Sequence, residues 1–494
     1  MYTSLQKIAT DFRWILPEII LIVAVLSLLI IDLLNNKRNV RLLPWLTITF
    51  FVITLMGISE QYDALKGTGT LSLYSSFLQL GHYECYFKGL FSLAGIFTVL
   101  YTLFSSDFKA EEKGEFYYLV LAVVAGLNFL VMAGNLLMMF ISLELVSIGS
   151  YILTIFNFNK RGTEASLKYI LFGAFSTAIM LFGISLLYGI NGNFVFPIEA
   201  AGVNTPEHLL LIAVAIFMML AGLLFKLSAF PFHVWTPDIY HGAPAPLTAF
   251  FSVAPKAAAV ALLFKVLAPL LALNNEVSQI LTWLLAIIAV VTMTIGNFSA
   301  LLQINMRRLL AYSSIGHAGF MMLAVVALKD LALTAILFYS TVYLFMNFTV
   351  FGLVDIYAKK SGSWNVNNFR GLGLKMPFLA VIFVITMISL TGLPPTAGFY
   401  AKLFVFSALW ESYQASGNQL YIFLLLFGLF NTVIALFYYL RIPYYIYFKK
   451  DESGTVLTLE PLGVYILMVL ISLPLLILFF NPNWALNIIH TIQL

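Results

Sequence analysis

Lys168, Lys226, Lys256, Lys265 and Lys402, together with Glu144, fall inside or at the ends of long apolar stretches, and no arginine joins them. An ionisable group at mid-membrane costs roughly 2.5–3.5 kcal/mol even on insertion scales, so each asks for a function or a partner. The choice of lysine is informative. Arginine essentially never deprotonates, whereas a desolvated lysine can give up its proton. Buried bases that are all lysine suit groups that gain and lose a proton. Glu144, within Met138–Ser150, needs a partner or must stay protonated.

Prolines crowd these positions. Lys226 precedes Pro231 and His233 in GLLFKLSAFPFHVW, and WTPDIYHGAPAP, residues 235–246, cannot be a regular helix. Pro255 directly precedes Lys256, and Lys402 follows Pro394 and Pro395 in TGLPPTAGFYAKLFVF. A proline ring leaves backbone carbonyls free, and such an irregular segment must be buried in protein or face water. Helix breaks are therefore expected at Pro231, Pro255 and Pro394–Pro395. Broken helices beside an ionisable residue suit ion pathways. Lys265 lies about 13.5 Å beyond Lys256 along a helix. It can snorkel outward and reads as structural, as Lys168 can snorkel inward. Glu18, beside Pro17, reads as interfacial, and the 45 Phe and 25 Tyr as lipid-facing or core packing.

These groups need a scaffold, and composition says which. The chain has 494 residues, 61% hydrophobic and 10% charged, against roughly 25% charged in soluble domains. Lipid must be the solvent for much of it. About fourteen spans of roughly 20 residues follow, an all-α integral membrane fold. The second span, near 43–58, is short; the seventh, near 208–230, is broken; the twelfth, near 376–408, is long and broken. With the N-terminus outside, sixteen basic residues fall in inside loops, from Lys37, Arg38 and Arg41 through Lys109 and Lys113 to Lys449 and Lys450. Only Lys7, Arg13, Lys66, Lys88 and Lys329 fall outside. That bias fits both termini on the outer side of a bacterial inner membrane. The small net charge of +4 forms no nucleic-acid patch. Cys85 is the only cysteine and the six histidines are scattered, so no metal site is expected.

An internal repeat is visible. Leu145–Ser150 resembles Ser313–Ala318 through the shared SIG of 147–149 and 314–316, and Ile170–Phe172 recurs as Ile336–Phe338, at offsets of 167 and 166. The organisation expected is a three-helix segment (1–116), five-helix units at 117–271 and 279–448, and a C-terminal helix and tail (449–494). A unit with an odd number of spans must be inverted in its next copy.

The stretch Lys226–Lys256, with FPFHVWTPDIYHGAPAP at its centre, resembles the antiporter-like membrane subunits of respiratory complex I and their relatives in sodium/proton antiporters. The resemblance covers nearly the whole chain. Lys402 and the modest length fit the subunit N branch, not the longer L branch or the M branch with its glutamate. The resemblance implies a translocase subunit moving protons, driven by redox chemistry in other subunits. Glu144 and Lys226 would form a tuning pair, with Lys168 relaying to the centre. Lys256 would be the central carrier and Lys402 the terminal one. His233 and His317 would be polar links, although His233 can equally cap the broken helix. NADH, flavin, iron–sulfur clusters and quinone would belong to other subunits. Partners would be related antiporter-like and small membrane subunits, and lipid. The alternative is a subunit of a secondary cation/proton antiporter. Such an exchanger favours mid-membrane carboxylates, yet Asp32 and Asp355 fall at span ends and leave only Glu144.

Overall fold

A computed structural model describes residues 10–34, 42–67, 69–105, 114–156, 158–196, 206–273, 275–328, 330–450 and 460–493. Of the charges counted above, Lys7, Lys37, Arg38, Arg41, Lys109, Lys113 and Lys329 lie outside these residues. The helices are α1 (Leu16–Leu34), α2 (Leu43–Ala64), α3 (His82–Thr102), α4 (Glu115–Val131), α5 (Leu136–Thr154) and α6 (Lys160–Asn191). There follow α7 (Pro206–Leu227), α8 (Thr236–Gly242), α9 (Ala245–Ala272), α10 (Glu276–Leu301), α11 (Met306–Ala327) and α12 (Asp330–Ser361). The last are α13 (Pro377–Thr391), α14 (Ala397–Ser416), α15 (Gln419–Phe448), α16 (Leu462–Phe480) and α17 (Asn483–Ile489). Between α2 and α3 a small antiparallel hairpin pairs β1 (Leu71–Leu73) with β2 (Leu78–Leu80).

Among the described residues, 12 helices are long and apolar enough to cross a membrane, and α4 and α13 are shorter apolar helices. Together they match the spans read from the sequence. The second runs on to Ala64, because polar residues at its end still continue the helix. Asparagines start many of them. Asn135, Asn159, Asn275, Asn305 and Asn418 each accept a backbone N–H from the first turn that follows. Such caps satisfy donors that a helix start leaves orphaned.

Two of the expected breaks are present. The seventh span stops at Leu227, four residues before Pro231, and the chain resumes as α8 at Thr236. The twelfth stops at Thr391 and resumes at Ala397, with Pro394 and Pro395 between. Pro255 does not break its helix, and that expectation is corrected: α9 runs from Ala245 to Ala272 with Pro255 and Pro269 inside it. Pro255 forfeits one backbone bond, to the Phe251 carbonyl. The helix is buried on every side around it, and neighbouring helices can hold such a segment in place.

The two ends of the chain meet on one face. Asp11 accepts the Tyr74 N–H of the hairpin at 2.9 Å, and the Tyr62 and Thr491 hydroxyls are hydrogen-bonded. This hairpin face thus carries the N-terminal segment and the C-terminal tail, as an even number of spans requires. On the opposite face, Arg441 donates to the Leu301 carbonyl at 3.1 Å, and Lys360 pairs with Glu460 at 2.7 Å.

Candidate functional site

The first cluster sits between α5, α6 and α7. Lys226, in the last turn of α7, is buried and donates to the Tyr169 hydroxyl at 3.3 Å. Its ammonium lies 5.0 Å from the Tyr169 ring centre and 5.6 Å from those of Tyr151 and Phe225. Ring faces attract a cation where water is excluded. Glu144, half-buried on α5, accepts from Thr177 on α6 at 2.7 Å. Its charge reaches Lys226, but the two make no direct ion pair. Tyr151, two turns beyond Glu144 on the same helix, stands near both.

The second cluster is central. Lys256 on α9 donates to the Ser314 hydroxyl at 2.9 Å and to its carbonyl at 3.2 Å, with the Tyr240 ring at 5.9 Å. Ser313 beside it bonds the Tyr439 hydroxyl of α15. That hydroxyl also lies 3.0 Å from His317 Nε2, while His317 Nδ1 lies 2.6 Å from the Tyr339 hydroxyl of α12. His317 lies four residues after Ser313 and three after Ser314, so α11 brings each serine beside it. Close packing fixes that face: a Cβ on Gly296 of α10 would lie 2.4 Å from the Gly316 nitrogen. Small residues let the two backbones touch.

The third cluster is the second break. Lys402, in α14 and buried, donates to the Thr391 carbonyl at 2.7 Å. That carbonyl ends α13, where the helix dipole favours a cation. The ammonium lies 4.6 Å from the centre of the Phe320 ring, one turn beyond His317 on α11. Gly392 makes room, with φ at +86° and an ideal Cβ that would sit 2.6 Å from Lys402 Cδ.

The remaining candidates lie elsewhere. Lys168 is part-exposed and pairs with Asp238 at 2.8 Å and Glu164 at 2.9 Å. Arg161, His241 and these groups line a cavity of about 70 Å³. Its burial and the guanidinium groups of Arg307, Arg161 and Arg308 hold the His241 imidazole below the usual histidine range, while Asp238 opposes them. His233 lies in the break before α8, its Nδ1 buried and without a hydrogen-bond partner.

Four expectations are corrected. The tyrosines are not only packing: the Tyr169 hydroxyl meets Lys226, and those of Tyr339 and Tyr439 meet His317, as buried phenols usually find a partner. Nothing local marks them out; Ser313 and Ser314 were not read as site residues, although their spacing to His317 could have shown them. Glu18 is not interfacial and Lys88 is not in an outer loop. They form an ion pair of 2.8 Å with both side chains at 0% exposure. Lys265 does not snorkel, because Glu84 meets it at 2.7 Å. Partners from distant helices hold these charges inside.

Comparison with known proteins shows the family. The family described as "NADH:quinone oxidoreductase/Mrp antiporter, TM" matches residues 133–435. The NADH-quinone oxidoreductase subunit N of Anaeromyxobacter sp. is 36% identical over 449 residues, 87% of this chain and 86% of its own. That of Chlorobium chlorochromatii is 38% identical over 445 residues, 88% and 85%. A chain of respiratory complex I from Thermus thermophilus with bound aureothin superposes with a TM-score of 0.78 at 29% identity, covering 96% of this chain and 99% of its own.

Proposed function

Since the chain belongs to the NADH:quinone oxidoreductase/Mrp antiporter membrane family, we propose that it carries protons across the membrane as an antiporter-like subunit of an NADH:quinone oxidoreductase. Electron transfer belongs to other subunits, which hold the NADH, flavin, iron–sulfur and quinone sites. Its neighbours are further antiporter-like and small membrane subunits, with lipid around them. The membrane is a bacterial inner membrane with the hairpin face outward. Residues 117–271 and 279–448 are the two inverted units.

The carrying observation is the company kept by Lys226, Lys256 and Lys402. Each is buried, and its hydrogen bonds run to hydroxyls or carbonyls. A hydroxyl can accept from an ammonium and donate to a neutral amine, so both protonation states of Lys226 and Lys256 can be satisfied. Lys256 passes a proton to Ser314, whose hydroxyl releases its own onward, and one proton moves with no net change at the serine. His317 faces hydroxyls at both ring nitrogens, so it can take a proton at one and release one at the other.

Lys256→Arg and Lys256→Met in the assembled complex test this reading. Both should lower NADH-driven acidification of inverted membrane vesicles by about 10²-fold, the scale of a lost proton-transfer group. A pH-sensitive dye reports it, in sodium-free medium so that only protons are counted. An arginine variant that pumps at the parent level would reduce Lys256 to a fixed charge and end the proposal.

A further inference from the structure

The hairpin face holds charges that the three lysine clusters do not use. The Lys88 ammonium that pairs with Glu18 also donates to Gln61 at 2.8 Å, and Asn128 donates to Glu18 at 3.1 Å. One helical turn away on α3, Glu84 takes Lys265 of α9, whose ammonium also donates to the Val131 carbonyl at 3.1 Å. The second Glu84 oxygen accepts the Gly81 N–H at 2.8 Å, in the first turn of α3 beside the hairpin. Between the two lysines of α9, the Tyr83 hydroxyl donates to the Ala261 carbonyl at 2.9 Å.

Buried ion pairs are poor devices for stability, since apolar groups of similar volume often serve as well. Their presence in lipid-embedded helices therefore asks for a use. Three observations give one. Lys265 shares α9 with Lys256, about 13.5 Å farther toward the hairpin face. The Lys265 and Glu84 side chains keep 8% and 4% exposure, whereas Lys88 and Glu18 keep none. The first pair is thus at the edge of the protein interior. Finally, Glu18 Oε2 and Asn128 Oδ1 are buried without a hydrogen-bond partner, leaving acceptors free beside the pairs.

We propose that Glu84–Lys265 is a proton-release site for the first half of the bundle, fed by Lys256 along α9. The idea rests on the proton-carrying role of Lys256. A proton leaves the Lys256 ammonium, which becomes a neutral amine. The Tyr83 hydroxyl takes it up while giving its own proton onward, and one proton thereby reaches the Glu84 carboxylate, which becomes a carboxylic acid while Lys265 keeps its charge. The uncompensated Lys265 charge then expels the proton to water at the hairpin face, and the carboxylate returns to Lys265. Lys88 and Glu18, a turn behind, stay charge-balanced throughout and do not oppose the step.

The test uses the assembled complex in membrane vesicles, reading proton pumping, NADH oxidation and the amount of complex formed. Glu84→Gln should lower pumping about tenfold at an unchanged amount of complex, and Glu84→Asp should recover at least half. The double variant Glu84→Leu with Lys265→Met separates the roles, because an apolar pair replaces a structural ion pair but cannot carry a proton. Pumping within about twofold of the parent in that double variant overturns the proposal. Should it not assemble, Glu84→Gln decides alone, and parental pumping by that variant is equally fatal. Lys256→Met runs in parallel. If Lys256→Met also pumps normally, the proton reading itself has failed; if it is inactive while the Glu84 variants pump, only the release site is wrong.

Discussion

The two broken helices solve one problem in different ways. In the first, the loose carbonyls at the end of α7 are taken by the chain itself: Ser228 N–H and Trp235 Nε1 both donate to Phe225, and Ala229 N–H donates to Leu224. Lys226 is left among aromatic rings and one tyrosine hydroxyl, with Glu144 within electrostatic reach. In the second break, Lys402 itself takes the carbonyl that ends α13, and no carboxylate contacts it among the described residues. The first lysine therefore answers to a neighbour whose charge can change. The second answers to a backbone dipole that cannot. On the proposed reading, Lys226 would be the tuned lysine and Lys402 the one that is refilled and emptied.

That contrast can be broken experimentally, most severely at Lys402. Lys402→Ala and Lys402→Arg should each leave the complex assembled, yet lower pumping and coupled turnover by about 10²-fold. Lys402→Glu should keep part of the activity, since a carboxylate can also carry a proton. Full pumping by the arginine variant, read in vesicles, would make Lys402 a static partner of the α13 carbonyl and nothing more.

Glu144 should give a smaller, graded effect. Glu144→Ala should slow proton translocation by roughly tenfold, the value of one charged neighbour in a partly buried site. Glu144→Asp should keep much of the rate. The comparison sharpens if the Glu144→Ala loss vanishes in a Lys226→Met background, as coupling between the two requires. Losses that simply add would show that Glu144 acts elsewhere.

Lys168 should matter least. Its ion pairs with Glu164 and Asp238 are part-exposed, and such pairs are worth about 0–1 kcal/mol. Lys168→Met should change pumping less than about twofold and barely move the thermal midpoint of the complex. A tenfold loss of pumping would support Lys168 as the relay between the first cluster and the centre.

The residues of each break were readable for local reasons. Gly392 and the two prolines after it cannot continue a helix, and α13 ends at Thr391. Pro231 was an equally good marker but a poor boundary, because α7 ends at Leu227. Pro255 was a false one, since a single missing donor is outweighed where neighbours enclose the helix. The lysines were readable because charge in an apolar run is rare whatever its surroundings. Glu18 and Lys88 were misjudged for the opposite reason: each sits near a span end, where a free charge could reach water. Only partners from other helices turn that position into an interior one.

The sequence by itself determined the membrane class, the number of spans, the two helix breaks and Lys226, Lys256 and Lys402 as buried bases. All of these follow from local quantities: hydropathy over about 20 residues, proline's missing N–H and the cost of an ionisable side chain in lipid. Tertiary structure alone decided which groups meet. Tyr439 comes to His317 from α15, Ser314 to Lys256 from α11, Glu84 to Lys265 from α3 and Thr391 to Lys402 across a break. Those contacts depend on the rotation and crossing of packed helices. A residue's own neighbours in the chain hold no record of that.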